Sequence, residues 1–170
     1  FLKFRPEPKE LDEFEVYLRQ FWDIFCNVFP GMEDYVNASA DPAAAYRFRN
    51  KKDGGLLYFR PVALPQLVKA ICETCLRMRI SLEYCMQGYA SIEMAISNNP
   101  WIDILWNPRK QTMITSNKSV ISPMLKFIFD ENIFTSKELD KFKKSYAKAL
   151  EVPIDQIEEK LALLRNAKRQ

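Results

Sequence analysis

The stretch that decides the fold is Asn98-Asn99-Pro100-Trp101-Ile102-Asp103-Ile104-Leu105-Trp106-Asn107-Pro108-Arg109-Lys110-Gln111-Thr112-Met113-Ile114. Asn-Pro pairs at 99–100 and 107–108 disfavour helix in the preceding residue and initiate turns. Two apolar runs, 102–106 and 112–115, flank Asn107 to Gln111, a spacing that predicts a β-hairpin with a loop of about five residues. An isolated hairpin is marginal in water, so it must pack on neighbouring helices. A buried indole needs an acceptor for its N–H, which makes Trp101 and Trp106 structural anchors.

Helical periodicity surrounds this block. Downstream, a helix is expected from about Asn117 to Phe129, with Pro123 tolerated only in its first turns. Thr135-x-x-Glu138 is a capping-box pattern, opening a helix whose stripe is Leu139, Phe142, Tyr146 and Leu150. Val152-Pro153 ends it. A last helix from about Ile154 carries Ile157, Leu161 and Leu164 inward and closes on Arg165, Lys168 and Arg169, cations that suit a helix C-terminus. Upstream, Ser81 to Ser97 reads as a helix with Leu82, Cys85, Met86, Tyr89, Ile92 and Ile96 inward, weakened at Gly88 by up to about 1 kcal/mol. Before it, Ala63 to Arg79 has the stripe Leu64, Leu67, Val68, Ile71, Cys72, Cys75, Leu76 and Met78.

The clearest helix lies at residues 9–29. Leu11, Phe14, Leu18, Phe21, Trp22, Phe25, Val28 and Phe29 recur every three or four residues, and Glu10, Asp12, Glu13 and Glu15 favour its N-terminal end. Pro30-Gly31 stops it. Asp41-Pro42 can cap a short helix through Ala43, Ala44, Ala45 and Tyr46. The fold class is therefore mainly α: about six to seven helices with a small β-hairpin near 102–115. Residues 1–8, rich in Pro and charge, read as a linker from an upstream domain. Residues 9–130 form the helical core, and 131–170 a helical pair packed on it.

Twelve Phe against four Gly argue for a packed core rather than a disordered chain. No apolar run approaches the ~18–20 residues of a membrane span, and no signal-peptide pattern is visible. A cytoplasmic location is the expectation. The net charge of +3 is unevenly spread: residues 1–40 carry four basic and eight acidic side chains, residues 41–60 five basic and two acidic. That bias permits nucleic-acid contact without demanding it.

Nucleophilic pairs of Ser or Cys with His are excluded within a chain that has no His. No phosphate-binding glycine loop is present, because Gly54-Gly55 alone is too little. No cofactor is implied. Cys72-Glu-Thr-Cys75 has the spacing of zinc and redox sites, but i and i+3 also fall on one apolar helix face with Val68 and Ile71. Core thiols, a metal site completed by Cys26 and Cys85, and a redox pair are the three readings.

The candidate nucleic-acid contacts are the basic cluster Arg47, Arg49, Lys51 and Lys52 with Arg60 nearby, and Arg109 with Lys110 at the hairpin tip. Beside Tyr46, Phe48 and Tyr58 such cations can hold a phosphate backbone while aromatics stack on bases. The alternative is a solvated loop whose aromatics belong to the core, with Arg60 paired to a carboxylate. Lys141, Lys143, Lys144 and Lys148 read as an exposed helix face.

Taken in order, several motifs carry a resemblance. They are the aromatic helix ending in Val28-Phe29-Pro30, the segment Leu56-Leu57-Tyr58-Phe59-Arg60-Pro61-Val62, and Asn99-Pro100-Trp101 followed by Leu105-Trp106-Asn107-Pro108 and Met113-Ile114. Over roughly residues 10 to 130 they resemble the C-terminal half of the DGQHR-domain proteins, the DndB-like group associated with DNA sulfur modification. The Asp-Gly-Gln-His-Arg motif itself does not occur, and no catalytic residue carries over. The resemblance implies a DNA-binding or regulatory component of a DNA-modification or phage-defence system, including transcription regulation. The partners it implies are an upstream domain of the same protein, DNA, and a second copy or other modification-system proteins, with no membrane. The competing expectation is a helical protein–protein interaction or dimerisation module without nucleic-acid contact.

Overall fold

The computed structural model describes residues 6–38, 40–49 and 52–167. Its elements are α1 (Pro8–Val28), α2 (Met32–Asn37), α3 (Ala44–Phe48), α4 (Leu64–Met78) and α5 (Leu82–Ala90), then the hairpin strands β1 (Trp106–Asn107) and β2 (Thr112–Met113), then α6 (Lys118–Phe129), α7 (Ser136–Leu150) and α8 (Ile157–Arg165). The mainly helical class with one small hairpin is as the periodicity predicts. The described residues hold eight helices rather than six or seven, because α2 is too short to show a repeat. Lys51, Lys168, Arg169 and residues 1–5 of the expected linker lie outside the described residues.

The centre of the molecule is α6. Val120, Ile121, Met124, Leu125, Phe127 and Ile128 are buried along it, and α4, α5, α7 and α8 pack around it. Pro123 sits in its second turn, within the first turns as expected, and has no N–H to give the Ser119 carbonyl. Gly88 on α5 has a packing reason: a Cβ there would overlap the Phe129 ring of α6. The adjacent Tyr89 stacks on that ring at 4.8 Å. The capping box of α7 forms as read, with the Thr135 N–H and hydroxyl both donating to Glu138 Oε2 at 2.9 Å.

Three sequence expectations are corrected. The helix expected to reach Ser97 ends at Ala90. Beyond it Ile92, Met94 and Ile96 are buried while Glu93 and Ala95 are half-exposed, the period-two pattern of an extended segment. This segment runs antiparallel to Gly55–Leu57: the Leu57 N–H donates to the Met94 carbonyl at 2.7 Å, and the Ile96 N–H to the Gly55 carbonyl at 3.0 Å. On α4 the inward face is Leu67, Ala70, Ile71 and Thr74, so Cys72 and Leu76 are exposed, and Met78 is exposed as the last residue of the helix. The Thr74 hydroxyl, 2.7 Å from the Tyr89 hydroxyl, fixes that rotation.

The third correction concerns the tryptophan block. Residues 102–105 are a compact turn, not a strand. The Trp101 carbonyl accepts the N–H groups of Ile104, Leu105 and Trp106 at 3.2, 2.8 and 3.2 Å, with Asp103 left-handed at φ 62°. Trp101 is fully buried, and its indole N–H donates to the Glu93 carbonyl at 2.5 Å. The hairpin pairs Trp106 with Met113 and Asn107 with Thr112, which leaves a loop of four residues, 108–111. No helix among the described residues is long and apolar enough to cross a membrane.

Candidate functional site

The first turn of α1 forms because Pro8 begins it and Glu10 Oε2 accepts the Glu7 N–H at 2.9 Å. Its apolar stripe then meets two environments. Phe25 and Phe29 are buried and stack at 4.1 Å. Tyr58 packs edge-on against both, at 5.7 and 5.5 Å, and its hydroxyl donates to the Pro30 carbonyl. Towards the N-terminus the same stripe is uncovered: Phe14 is 64% and Tyr17 69% exposed, and Leu11, Leu18 and Trp22 are exposed too. The stripe therefore faces the core only in its last third.

The uncovered stripe leads into a cavity of about 320 Å³ lined by Trp22, Phe25, Tyr35, Tyr58, Phe59 and Pro61, with Arg49 at its edge. Tyr35 and Phe48 brace Phe59, at 4.9 and 4.8 Å between ring centroids. Aromatic walls of this kind accept an apolar anchor residue from a partner. Glu13 and Glu15 lie on opposite flanks of the stripe at helical spacing, paired within the helix to Lys9 at 3.9 Å and Arg19 at 2.7 Å.

The predicted basic cluster does not converge into one surface. Arg47 pairs with Asp41 at 3.1 Å. Arg49 Nε donates to the Phe59 carbonyl at 2.7 Å. Half-buried Arg60 donates from Nε to the Gly54 carbonyl at 2.7 Å, and its guanidinium carbon lies 6.0 Å from the centroid of the Trp106 ring. Burial, and secondarily the nearby Arg49 cation, lowers its pKa from the usual arginine range. The Gly54 carbonyl is thus one partner of Arg60. Lys52 is exposed.

At the hairpin, the Asn107 side-chain oxygen accepts the backbone N–H groups of Arg109 at 3.1 Å and Lys110 at 3.0 Å. That fixes the loop and leaves both side chains exposed. Because Arg60 lies over Trp106 at the base of β1, the two predicted basic regions adjoin. Arg109 follows Trp106 by three residues, within about 10 Å along an extended chain.

The four cysteines differ in their surroundings. Cys72 is exposed, Cys75 and Cys26 are half-buried, and only Cys85 is buried, so the core-thiol reading holds for Cys85 and not for Cys72. Although the residue is exposed, partial desolvation of its sulfur against the helix raises the Cys72 thiol pKa above its ordinary value, with Cys75 and Glu73 adding to the effect. Such a thiol is a weak nucleophile at neutral pH. Among the described residues no group of three or more Cys, Asp or Glu could hold a metal ion.

Comparison with known protein families, with curated proteins and with solved structures found no match.

Proposed function

We propose that this chain is a helical docking module, which holds a partner protein along the uncovered face of α1 and in the aromatic cavity beside it. One observation carries the reading: a single apolar stripe runs from buried Phe29 and Phe25 through Trp22 and Leu18 to exposed Phe14 and Leu11. Aromatic side chains offer about 150–250 Å² each, so the uncovered part amounts to on the order of 500 Å². Contiguous apolar patches above a few hundred Å² mark interaction sites. Helix α1 carries Glu10, Asp12, Glu13, Glu15 and Asp23 against Lys9 and Arg19, and this acidic balance selects the occupant: a segment with an apolar face and Lys or Arg beside it. A second copy would set like charges against one another.

The test uses a designed amphipathic Leu/Lys helical peptide, with a Leu/Glu peptide as control. Trp22 is the exposed indole, whereas Trp101 and Trp106 are buried. Binding of the basic peptide should therefore shift Trp22 emission to the blue. Phe14→Glu and Leu18→Glu should weaken binding about tenfold or more, with melting temperature unchanged, since each contact is worth at least about 1.4 kcal/mol. Equal binding of the acidic peptide, no binding of the basic one, or a stable dimer of the chain alone would overturn the reading.

The resemblance to DGQHR-domain proteins supports a setting for this docking: a cytoplasmic DNA-modification or phage-defence assembly, with the upstream domain as the nearest partner. Four free thiols fit a reducing compartment. A second reading, direct contact with DNA, is favoured by the rigid hairpin loop that holds Arg109 and Lys110 outward. It predicts duplex binding that weakens steeply with salt. The double substitution Arg109→Ala with Lys110→Ala should lower the salt slope by about two, one for each phosphate contact. Binding independent of salt would remove this second reading and leave the first intact.

A further inference from the structure

Three helices turn polar ridges toward one cleft. On α6, Lys118, Ser122 and Lys126 recur every four residues; on α4, Lys69, Glu73 and Arg77 do the same; on α7, Glu138, Lys141 and Ser145 share a face. All nine line a groove of about 520 Å³. A helix as buried as α6 would ordinarily carry apolar residues along such a line. Here it carries two lysines and a serine.

Two of those groups are buried beyond nine-tenths and incompletely partnered. Ser122 is 2% exposed, and its hydroxyl oxygen has no hydrogen-bond partner among the described residues. A mid-helix serine can turn its hydroxyl onto the carbonyl four residues back; this one does not. Lys126 is 7% exposed. Its ammonium has three donors, and one is met by Glu73 Oε2 at 2.5 Å. It lies 5.4 Å from the centre of the half-exposed Phe134 ring. A buried hydroxyl and a buried ammonium one turn apart, both with bonding capacity left, call for a ligand rich in acceptors.

The other charges define its sign. Five cations face the groove against two carboxylates, Glu73 and Glu138. Glu138 is held by Arg77 at 2.5 Å, and Glu73 by Lys126 and, at 3.8 Å, by Lys69. Lys118 and Lys141 make no ion pair among the described residues. Their charge is available at the mouth of the groove.

We propose that this groove binds a small organic phosphate of the nucleoside monophosphate class. The phosphate oxygens, acceptors only, would take the donors of Ser122, Lys126, Lys118 and Lys141. The planar apolar part would lie against Phe134. The groove volume is in the range of small-ligand sites. The inference is independent of the docking reading, since α1 contributes nothing to the groove.

The experiment titrates the chain with adenosine 5′-monophosphate and, separately, with inorganic phosphate, read by calorimetry and by thermal shift. The monophosphate should bind with a submillimolar dissociation constant and inorganic phosphate at least about tenfold more weakly. Lys118→Ala with Lys141→Ala should weaken the monophosphate about tenfold or more without lowering the melting temperature of the free protein. Ser122→Ala should weaken it severalfold while leaving the free protein as stable or more so, the opposite of what a structural serine would do. Leu18→Glu on α1 should leave it unchanged. Binding of neither probe at about 10 mM, tighter binding of inorganic phosphate, or monophosphate binding indifferent to the lysine and serine substitutions would overturn the proposal.

Discussion

The loop around Arg49 and Arg60 and the groove between α4, α6 and α7 are both cationic, yet their charges do different work. In the loop, arginines hold backbone carbonyls: Arg49 that of Phe59 and Arg60 that of Gly54, the second lying over Trp106. In the groove, Lys118 and Lys141 hold nothing among the described residues, and buried Lys126 keeps donors to spare. Local density of positive charge is therefore a poor guide to available charge. A guanidinium beside loop carbonyls tends to be consumed by them, because its fork of donors satisfies backbone acceptors that would otherwise be orphaned. Lysines spaced along separate helices escape that fate.

The largest effect that could break this contrast lies in the loop. Gly54 has φ 77°, and a Cβ there would meet Ile96 Cγ1 at 2.5 Å and Trp106 Cε3 at 3.0 Å. Gly54→Ala combines left-handed strain with overpacking, and should cost about 3 kcal/mol, or on the order of 10 °C in melting temperature. Next comes Arg60→Met, which leaves the buried Gly54 carbonyl without its charged donor. A loss of about 2 kcal/mol in denaturant unfolding is expected, with Arg47→Ala within about 0.5 kcal/mol as the exposed comparison. A neutral Arg60→Met would show that Arg60 does not hold the loop, and the contrast with the groove lysines would fail.

Much of the fold was legible because its signals are local. Residues 9–29, the Thr135–Glu138 capping box and the turn-bounded hairpin each announce themselves within one window, and each is found. The misreadings have physical causes. Ile92-Glu93-Met94-Ala95-Ile96 alternates at period two, but Ile92 and Ile96 also sit four apart, so the stretch satisfies a helix as well as a strand; its partner at Gly55–Leu57 decides the matter. Leu76 is apolar and periodic yet 79% exposed, because it lies on the face of α4 opposite Leu67, Ala70, Ile71 and Thr74. The groove was hidden for another reason. Its lysines lie at 69, 118, 126 and 141, far apart in the chain and unremarkable singly, and only tertiary packing sets the three ridges face to face. The i, i+4, i+8 run Lys118-Ser122-Lys126 within an otherwise apolar helix was the one signal available.

A smaller effect tests how the groove wall is held. Arg77, then the Thr135 backbone and hydroxyl, lower the Glu138 pKa well below the usual carboxylate range. A carboxylate depressed on folding contributes stability above its unfolded pKa, about 4.3, and loses it as pH falls through the folded value. Glu138→Gln keeps part of the cap but removes the charge, so it should cost about 1 kcal/mol at pH 7. The gap to the parent protein should narrow in acid below about pH 4. A gap constant from pH 7 to pH 3 would show that the charge is immaterial and that the cap alone orders the start of α7.

The smallest expected effect bears most directly on the contrast between the two regions. Lys118→Ala with Lys141→Ala removes two exposed cations that make no ion pair among the described residues. Exposed substitutions of this kind change stability by about 0.5 kcal/mol or less in either direction. Removing two like charges from a groove already rich in cations relieves repulsion, which favours the stabilising side of that range. Low salt should enlarge the gain and high salt erase it, since screening acts on the same repulsion. A loss above about 1 kcal/mol would mean that these lysines hold the fold as the loop arginines do, and the distinction between used and available charge would fail.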